Sequence, residues 1–136
     1  MNWITDTIAI GNYLDAQDKD MLTREGIRSV LSLDGSLIGR SPADVGVKRV
    51  MALKFQDGPG NDPALFLRAV DAVQRLVIET PPVLVHCHAG RSRSVVLVAG
   101  YFIKTRGLTP DEAVKLVAAK REAQITPGLE SLLWCL

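Results

Sequence analysis

The chain has 136 residues, with sixteen Lys and Arg against fifteen Asp and Glu and a formal net charge of +1. That length suits a single domain, residues 1–136, which can bury one core without disulfide or metal staples. The near-balanced charge gives no global attraction for nucleic acid or an anionic membrane surface.

Met1-Asn2-Trp3-Ile4-Thr5-Asp6 has no basic segment leading into an apolar run, so no signal peptide is read there. Thr7–Ile10 predicts a short strand. Asp18–Glu25 predicts a brief helix stopped by Gly26 in a left-handed cap. Ile27–Leu33 reads as a buried strand ending at the turn pair Asp34-Gly35, and 36–48, with Gly39, Pro42 and Gly46, reads as a surface loop. Arg49–Phe55 predicts another strand, followed by the glycine-rich loop Gln56–Asn61. Asp62 and Pro63 are an N-cap and first-turn pair for a helix to about Glu79, with one apolar stripe of Leu65, Phe66, Ala69, Val70, Val73, Leu76 and Val77.

Pro81-Pro82 leads into Val83–His86, an unalternating run that predicts a central strand covered on both faces. A helix from about Arg91 to Arg106 stops at Gly107. Its apolar stretch, Val95 to Ile103, is interrupted by Gly100 and too short to span a membrane. Thr109-Pro110-Asp111-Glu112 is a capping box opening a further helix, and Thr126-Pro127 opens a last short one. Strands alternating with helices predict an α/β fold: a central four- to five-stranded, mostly parallel sheet with helices on both faces. In such sheets ligands collect at the carboxyl ends of the strands.

Cys87 stands at that place, directly after the predicted central strand. Five residues, His88, Ala89, Gly90, Arg91 and Ser92, separate it from Arg93. Wrapped into an arc at a helix amino terminus, their backbone N–H groups converge above the sulfur and make an anion site. Gly90 lets the chain curve tightly. Arg93 closes the ring with a planar fork suited to two phosphoryl oxygens, and the same donors favour the ionised, nucleophilic sulfur. Ser94 follows, able to donate a hydrogen bond to that sulfur when it leaves.

His86-Cys87-His88-Ala89-Gly90-Arg91-Ser92-Arg93-Ser94 resembles the signature loop of the cysteine-dependent protein tyrosine phosphatase superfamily, in its small dual-specificity branch. Ile8–Ala16, Gly26–Leu33, Thr109–Ala119 and Ile125–Gly128 are similar to other segments of that family. The resemblance implies a phosphocysteine mechanism without cofactor or metal, with His86 in a supporting hydrogen-bonding role. It also implies a general acid on an upstream loop, roughly thirty residues before the cysteine in small members. Asp57, thirty positions before Cys87 and inside the glycine-rich loop, is assigned that role, first as acid and then as base. Asp62 competes but is better explained as a helix N-cap, and Asp34 reads as a turn residue.

The function expected is hydrolysis of phosphotyrosine and phosphoserine or phosphothreonine in proteins. The alternatives are a lipid phosphate phosphatase of the same fold, to which Arg91 could offer charge, and a non-catalytic phosphate-binding module. The loop also resembles a mitochondrial lipid-phosphate phosphatase of this branch, which carries a lysine where His88 stands. A rhodanese-like sulfurtransferase is disfavoured by the arginine spacing and the following serine. Low-molecular-weight phosphatases and arsenate reductases carry their loop near the amino terminus. Zinc binding by His86-Cys87-His88 lacks a fourth ligand. The partners expected are a phosphorylated protein or small phosphomonoester, with no nucleic acid and no stable membrane association, for a cytoplasmic monomer. Two cysteines are too few for a disulfide framework, so Cys87 is expected to be a free, exposed thiolate open to reversible oxidation, and Cys135 a packing residue near the carboxyl terminus.

Overall fold

Side chains alternate across a strand, and in this computed structural model, which describes residues 1–136, that alternation divides the core into two layers. The elements in chain order are β1 (Asn2–Trp3), β2 (Ile8–Gly11), α1 (Lys19–Arg24), β3 (Ser29–Ser32), α2 (Pro42–Val45), β4 (Arg49–Ala52), α3 (Pro63–Glu79), β5 (Val83–His86), α4 (Arg93–Arg106) and α5 (Pro110–Ala118). Short 3-10 helices lie at Asp15–Gln17 and Glu130–Cys135. The sheet order is β1-β2-β5-β3-β4, parallel throughout except for the antiparallel edge strand β1. Ile8, Ile10, Leu31, Leu33, Val83 and Val85 face the larger layer, closed by α3, α4 and α5. Ala9, Val30 and Leu84 face the smaller one, closed by Leu22 of α1, Val45 of α2, and Ala16 and Leu37. Helices therefore cover both faces, and every residue of β5 is buried. This two-sided burial is why the central strand shows no polar alternation in sequence.

Registers fix where the site lies. His86 is paired with Gly11 on one side and Ser32 on the other, so β2, β5 and β3 end level with one another. The next residue, Cys87, emerges from the middle of that rim.

The helices start where local chemistry directs. Asp62 accepts the Ala64 N–H ahead of Pro63, and Phe66, Ala69, Val70, Val73 and Leu76 of α3 are buried. Thr109 and Glu112 form both bonds of their capping box. The helix α4 begins at Arg93, two residues later than the sequence reading, because Arg91 and Ser92 still belong to the curving loop and Ser92 turns its hydroxyl to Thr126 instead of capping. Gly107, at φ +66°, ends it. At Gly100 the helix approaches α3 so closely that a Cβ would lie 2.9 Å from Phe66 Cζ.

Three sequence readings are corrected and one element was missed. The stretch 36–48 is not all loop: Ser41-Pro42-Ala43-Asp44 forms its own capping box and starts α2, a helix too short to show apolar periodicity. The strand read as Arg49–Phe55 ends at Ala52, with one further bridge between Asp34 and Lys54. Thr126-Pro127 makes a turn, closed by the Leu129 N–H on the Thr126 carbonyl, and the helical turn comes later. The edge strand β1 was not anticipated at all. No helix is long and apolar enough to cross a membrane.

Candidate active site

Alternation along β5 sends Val83, Val85 and then Cys87 toward α4, so the thiol sits against the larger core layer. Cys87 is a free cysteine and only 2% exposed, which corrects the expectation of an exposed thiolate. Cys135, expected to pack, is the exposed one. The first turn of α4 brings Ser94, also fully buried, back over the sulfur: Cys87 Sγ and Ser94 Oγ are 3.3 Å apart.

Each carbonyl of the loop is held by its own donor. Cys87 O accepts from His86 Nδ1 at 3.2 Å, and His88 O from the Tyr13 N–H at 3.0 Å. Ala89 O and Gly90 O accept from the Arg121 guanidinium at 3.4 and 2.7 Å. Arg91 O accepts from the Gln124 N–H at 2.9 Å, and Ser92 O from the Val96 N–H at 3.0 Å. In a trans peptide the C=O and N–H of one unit point in opposite directions. The N–H groups of His88, Ala89, Gly90, Arg91, Ser92 and Arg93, none of which donates within the chain, are thereby turned to the other side of the arc. Gly90 is required there: at φ +70°, any Cβ would lie 2.5 Å from both the Gly11 carbonyl oxygen and Arg121 Nη2.

Arg93 is anchored at one corner, its Nη1 donating to the Phe55 carbonyl at 3.1 Å, while its buried Nε has no partner in the protein. That bond ties the Cys87 loop to the segment carrying Asp57. Asp57 is exposed and makes no hydrogen bond. Its loop is nonetheless firmly shaped. Asn61 accepts the Gln56 N–H at 2.8 Å and donates to the carbonyls of Gln56 and Gly58 at 2.8 and 3.2 Å. Pro59 packs on Gly128, where a Cβ would come within 2.9 Å of the proline ring. Thr126, close by, accepts from the Ser92 hydroxyl at 3.3 Å and donates its N–H to the same oxygen at 2.9 Å. The Asp57 loop is thus braced to the Cys87 loop on two sides.

The remaining predicted residues fall as follows. His86 is fully buried; its Nδ1 must carry the proton to donate to Cys87 O, and Nε2 has no partner. Burial pushes its pKa below the usual histidine value, opposed by the charge of Asp34 and by the Cys87 carbonyl. Asp34 accepts from the N–H and hydroxyl of Ser36, so it is a turn residue as read. Burial would raise its pKa, but the two Ser36 bonds, with help from His86 and Arg93, leave it lowered. His88 is exposed, its ring stacked on Tyr13 with centroids 4.4 Å apart and planes 5° from parallel. Arg91 is exposed and lies 3.9 Å from Glu122. Asp62 caps α3.

Sequence reasoning missed Tyr13, Thr126 and Arg121. In Lys120-Arg121-Glu122 an arginine reads as part of a solvated, charged stretch; only the tertiary fold lays it on the loop. Burial lowers the Arg121 pKa, the charges of Asp15 and Cys87 pull it up again, and Arg91 lowers it.

Residues 8–134 match the dual specificity phosphatase catalytic domain. The chain is similar to Arabidopsis thaliana dual specificity protein phosphatase 1B, 30% identical over 132 residues, covering 96% of this chain and 77% of that protein. It is 36% identical to rat dual specificity protein phosphatase 12 over 125 residues, 89% of this chain and 36% of the relative. The chain thus spans only part of several relatives, down to 18% of mouse dual specificity protein phosphatase 8. A mouse dual specificity phosphatase crystallised with zinc tungstate superposes with a TM-score of 0.83 at 26% identity, over 98% of this chain and 83% of that one. The sheet that delivers Cys87 to a ring of peptide donors is therefore a shared one, and the chain belongs to the dual-specificity branch of the cysteine-dependent protein tyrosine phosphatase superfamily.

Proposed function

We propose that the chain hydrolyses phosphomonoesters through a phosphocysteine intermediate, acting on phosphotyrosine and phosphoserine or phosphothreonine in proteins. One observation carries the reading: six consecutive peptide units around Cys87 have their carbonyls held by donors and their N–H groups free for an oxyanion. The Cys87 thiolate attacks phosphorus. The S–P bond forms, the ester P–O bond breaks, and the leaving oxygen takes a proton from Asp57. The Asp57 carboxylate then removes a proton from water, whose oxygen attacks phosphorus; the S–P bond breaks, inorganic phosphate forms, and the Ser94 hydroxyl donates to the departing sulfur. The N–H groups of His88, Ala89, Gly90, Arg91 and Ser92 and the Arg93 guanidinium hold the equatorial oxygens throughout. His86 fixes the first carbonyl of the loop. No step needs a metal or cofactor.

A lipid phosphate is the second reading, resting on exposed Arg91. Its 3.9 Å approach to Glu122 offsets that charge and favours the protein substrate. In this reading residues 1–136 form one catalytic domain that acts as a cytoplasmic monomer on phosphorylated proteins.

The test is turnover of an aryl phosphate, a panel of phosphopeptides and a panel of lipid phosphates. Cys87→Ser is expected to abolish all activity. Asp57→Asn is expected to slow an alkyl phosphate strongly and an activated aryl phosphate less; wild-type rates on both would remove Asp57 from its role. Turnover of lipid phosphates alone would replace the protein reading. Tungstate binding without any turnover would leave a phosphate-binding module.

A further inference from the structure

We propose that Arg121 is a positioning residue for the phosphate-binding loop: by holding the Ala89 and Gly90 carbonyls from outside, it keeps the Gly90 and Arg91 N–H groups turned toward a bound oxyanion. The inference rests on the phosphocysteine reading of the same site.

The loop's other carbonyls are secured independently of this side chain, His88 O, Arg91 O and Ser92 O by backbone N–H groups and Cys87 O by its neighbouring histidine. The two at the top of the arc depend on one guanidinium alone. Arg121 lies just beyond α5, 31 residues from Gly90 in sequence, and the opposite end of its fork is fixed. Nη1 donates to Ile10 O at the end of β2 at 3.2 Å and to Asn2 Oδ1 in β1 at 2.9 Å. The side chain is thus a strut between the sheet edge and the loop. Its planar, divergent donors suit that task; a lysine offers one point of charge. The contact is tight as well, since a Cβ on Gly90 would collide with Nη2. Asp15 and Cys87 are among the charges its guanidinium senses.

The experiment is calorimetric titration of the full chain with tungstate, beside kcat and KM for an aryl phosphate, in Arg121→Met and Arg121→Lys. Misfolded protein lowers the calorimetric stoichiometry and leaves Kd alone, so Kd separates loop shape from a merely structural loss. A charge-assisted hydrogen bond corresponds to a factor of about ten or more in affinity. Arg121→Met is therefore expected to weaken tungstate binding at least about tenfold and to raise KM as kcat falls. Arg121→Lys is expected to recover part of that, staying about threefold or more above the wild-type Kd. A Kd within twofold of wild type in Arg121→Met overturns the proposal, whatever happens to kcat. Should Arg121→Met not fold, a wild-type Kd in Arg121→Lys overturns it equally. Cys87→Ser separates the two readings: full turnover in that variant refutes the phosphocysteine mechanism, while the tungstate comparison still reads the loop.

Discussion

Replacing Ser94 by Ala removes the one hydroxyl within reach of the Cys87 sulfur, 3.3 Å away in a fully buried setting. The bond gains nothing as the S–P bond forms and the sulfur loses charge, so its loss should not slow the attack. It must be rebuilt when sulfur departs, so its loss falls on hydrolysis of the phosphocysteine. A hydrogen bond to a charged group is worth about 1.5–3 kcal/mol, and each 1.4 kcal/mol is a factor of ten in rate, which places the slowing at about 10- to 150-fold. Attack then outruns hydrolysis and the covalent intermediate accumulates. Stopped-flow measurement with an aryl phosphate should show a burst of phenol release approaching one per active site, and mass spectrometry after acid quench should find phosphate on Cys87. The exchange removes a single oxygen, so the thermal midpoint should barely move. Steady-state turnover within twofold of wild type, or slow turnover with no burst, would refute the reasoning.

Three further outcomes are expected. Gly90→Ala forces a Cβ into the left-handed region, costing about 1–2 kcal/mol, and onto the Gly11 carbonyl. Urea unfolding should report at least that loss, with tungstate affinity falling as the arc opens; wild-type values of both would contradict the geometry. Gly100→Ala improves helix propensity by about 1 kcal/mol but overpacks against Phe66 and Val70, which costs about 1–3 kcal/mol. The net is expected to be destabilising, and a Phe66→Leu background should reverse it in a double-mutant cycle. The third concerns pH. His86 is held neutral in the fold, so as pH falls through 6.5, the ordinary histidine value, the unfolded chain binds a proton that the folded chain refuses. Stability should decline there, until pH reaches the lowered value of the folded imidazole. His86→Asn should flatten the thermal midpoint between about pH 7 and 5.5, and an unchanged slope would exclude His86 as its source. Asp34, with its lowered carboxyl, acts in the same sense at lower pH: its contribution is complete above 3.8 and lost in stronger acid.

What could be read in the sequence was whatever depends on near neighbours. The Asp62-Pro63 and Thr109–Glu112 starts are local hydrogen-bond chemistry, and both formed as written. The apolar run before Cys87 carried the central strand, because two-sided burial leaves no room for polar residues. Ser41–Asp44 uses the same capping grammar, but without a long apolar stripe behind it the signal for α2 was lost among turn residues. The bracing of the site could not be read at all. Arg121 reaches Gly90 across 31 positions and Thr126 reaches Ser92 across 34, and no local pattern distinguishes them from other polar residues. Likewise, nothing local reveals that Cys87 is buried against the core while Cys135 is open to solvent.

The strand order has a consequence for how the protein comes to exist. Because β5 lies between β2 and β3, those two strands have no direct partner in one another. A chain that has emerged only as far as Glu79 would hold two parallel edges facing an empty slot, the kind of unpaired border that invites association with other chains. Closing it requires a contact of long sequence separation, which is the slow class of folding event. The strand that fills the slot also delivers Cys87, the proposed nucleophile. Catalytic competence therefore cannot precede completion of the sheet, and regain of turnover after dilution from denaturant would time the insertion of this single strand.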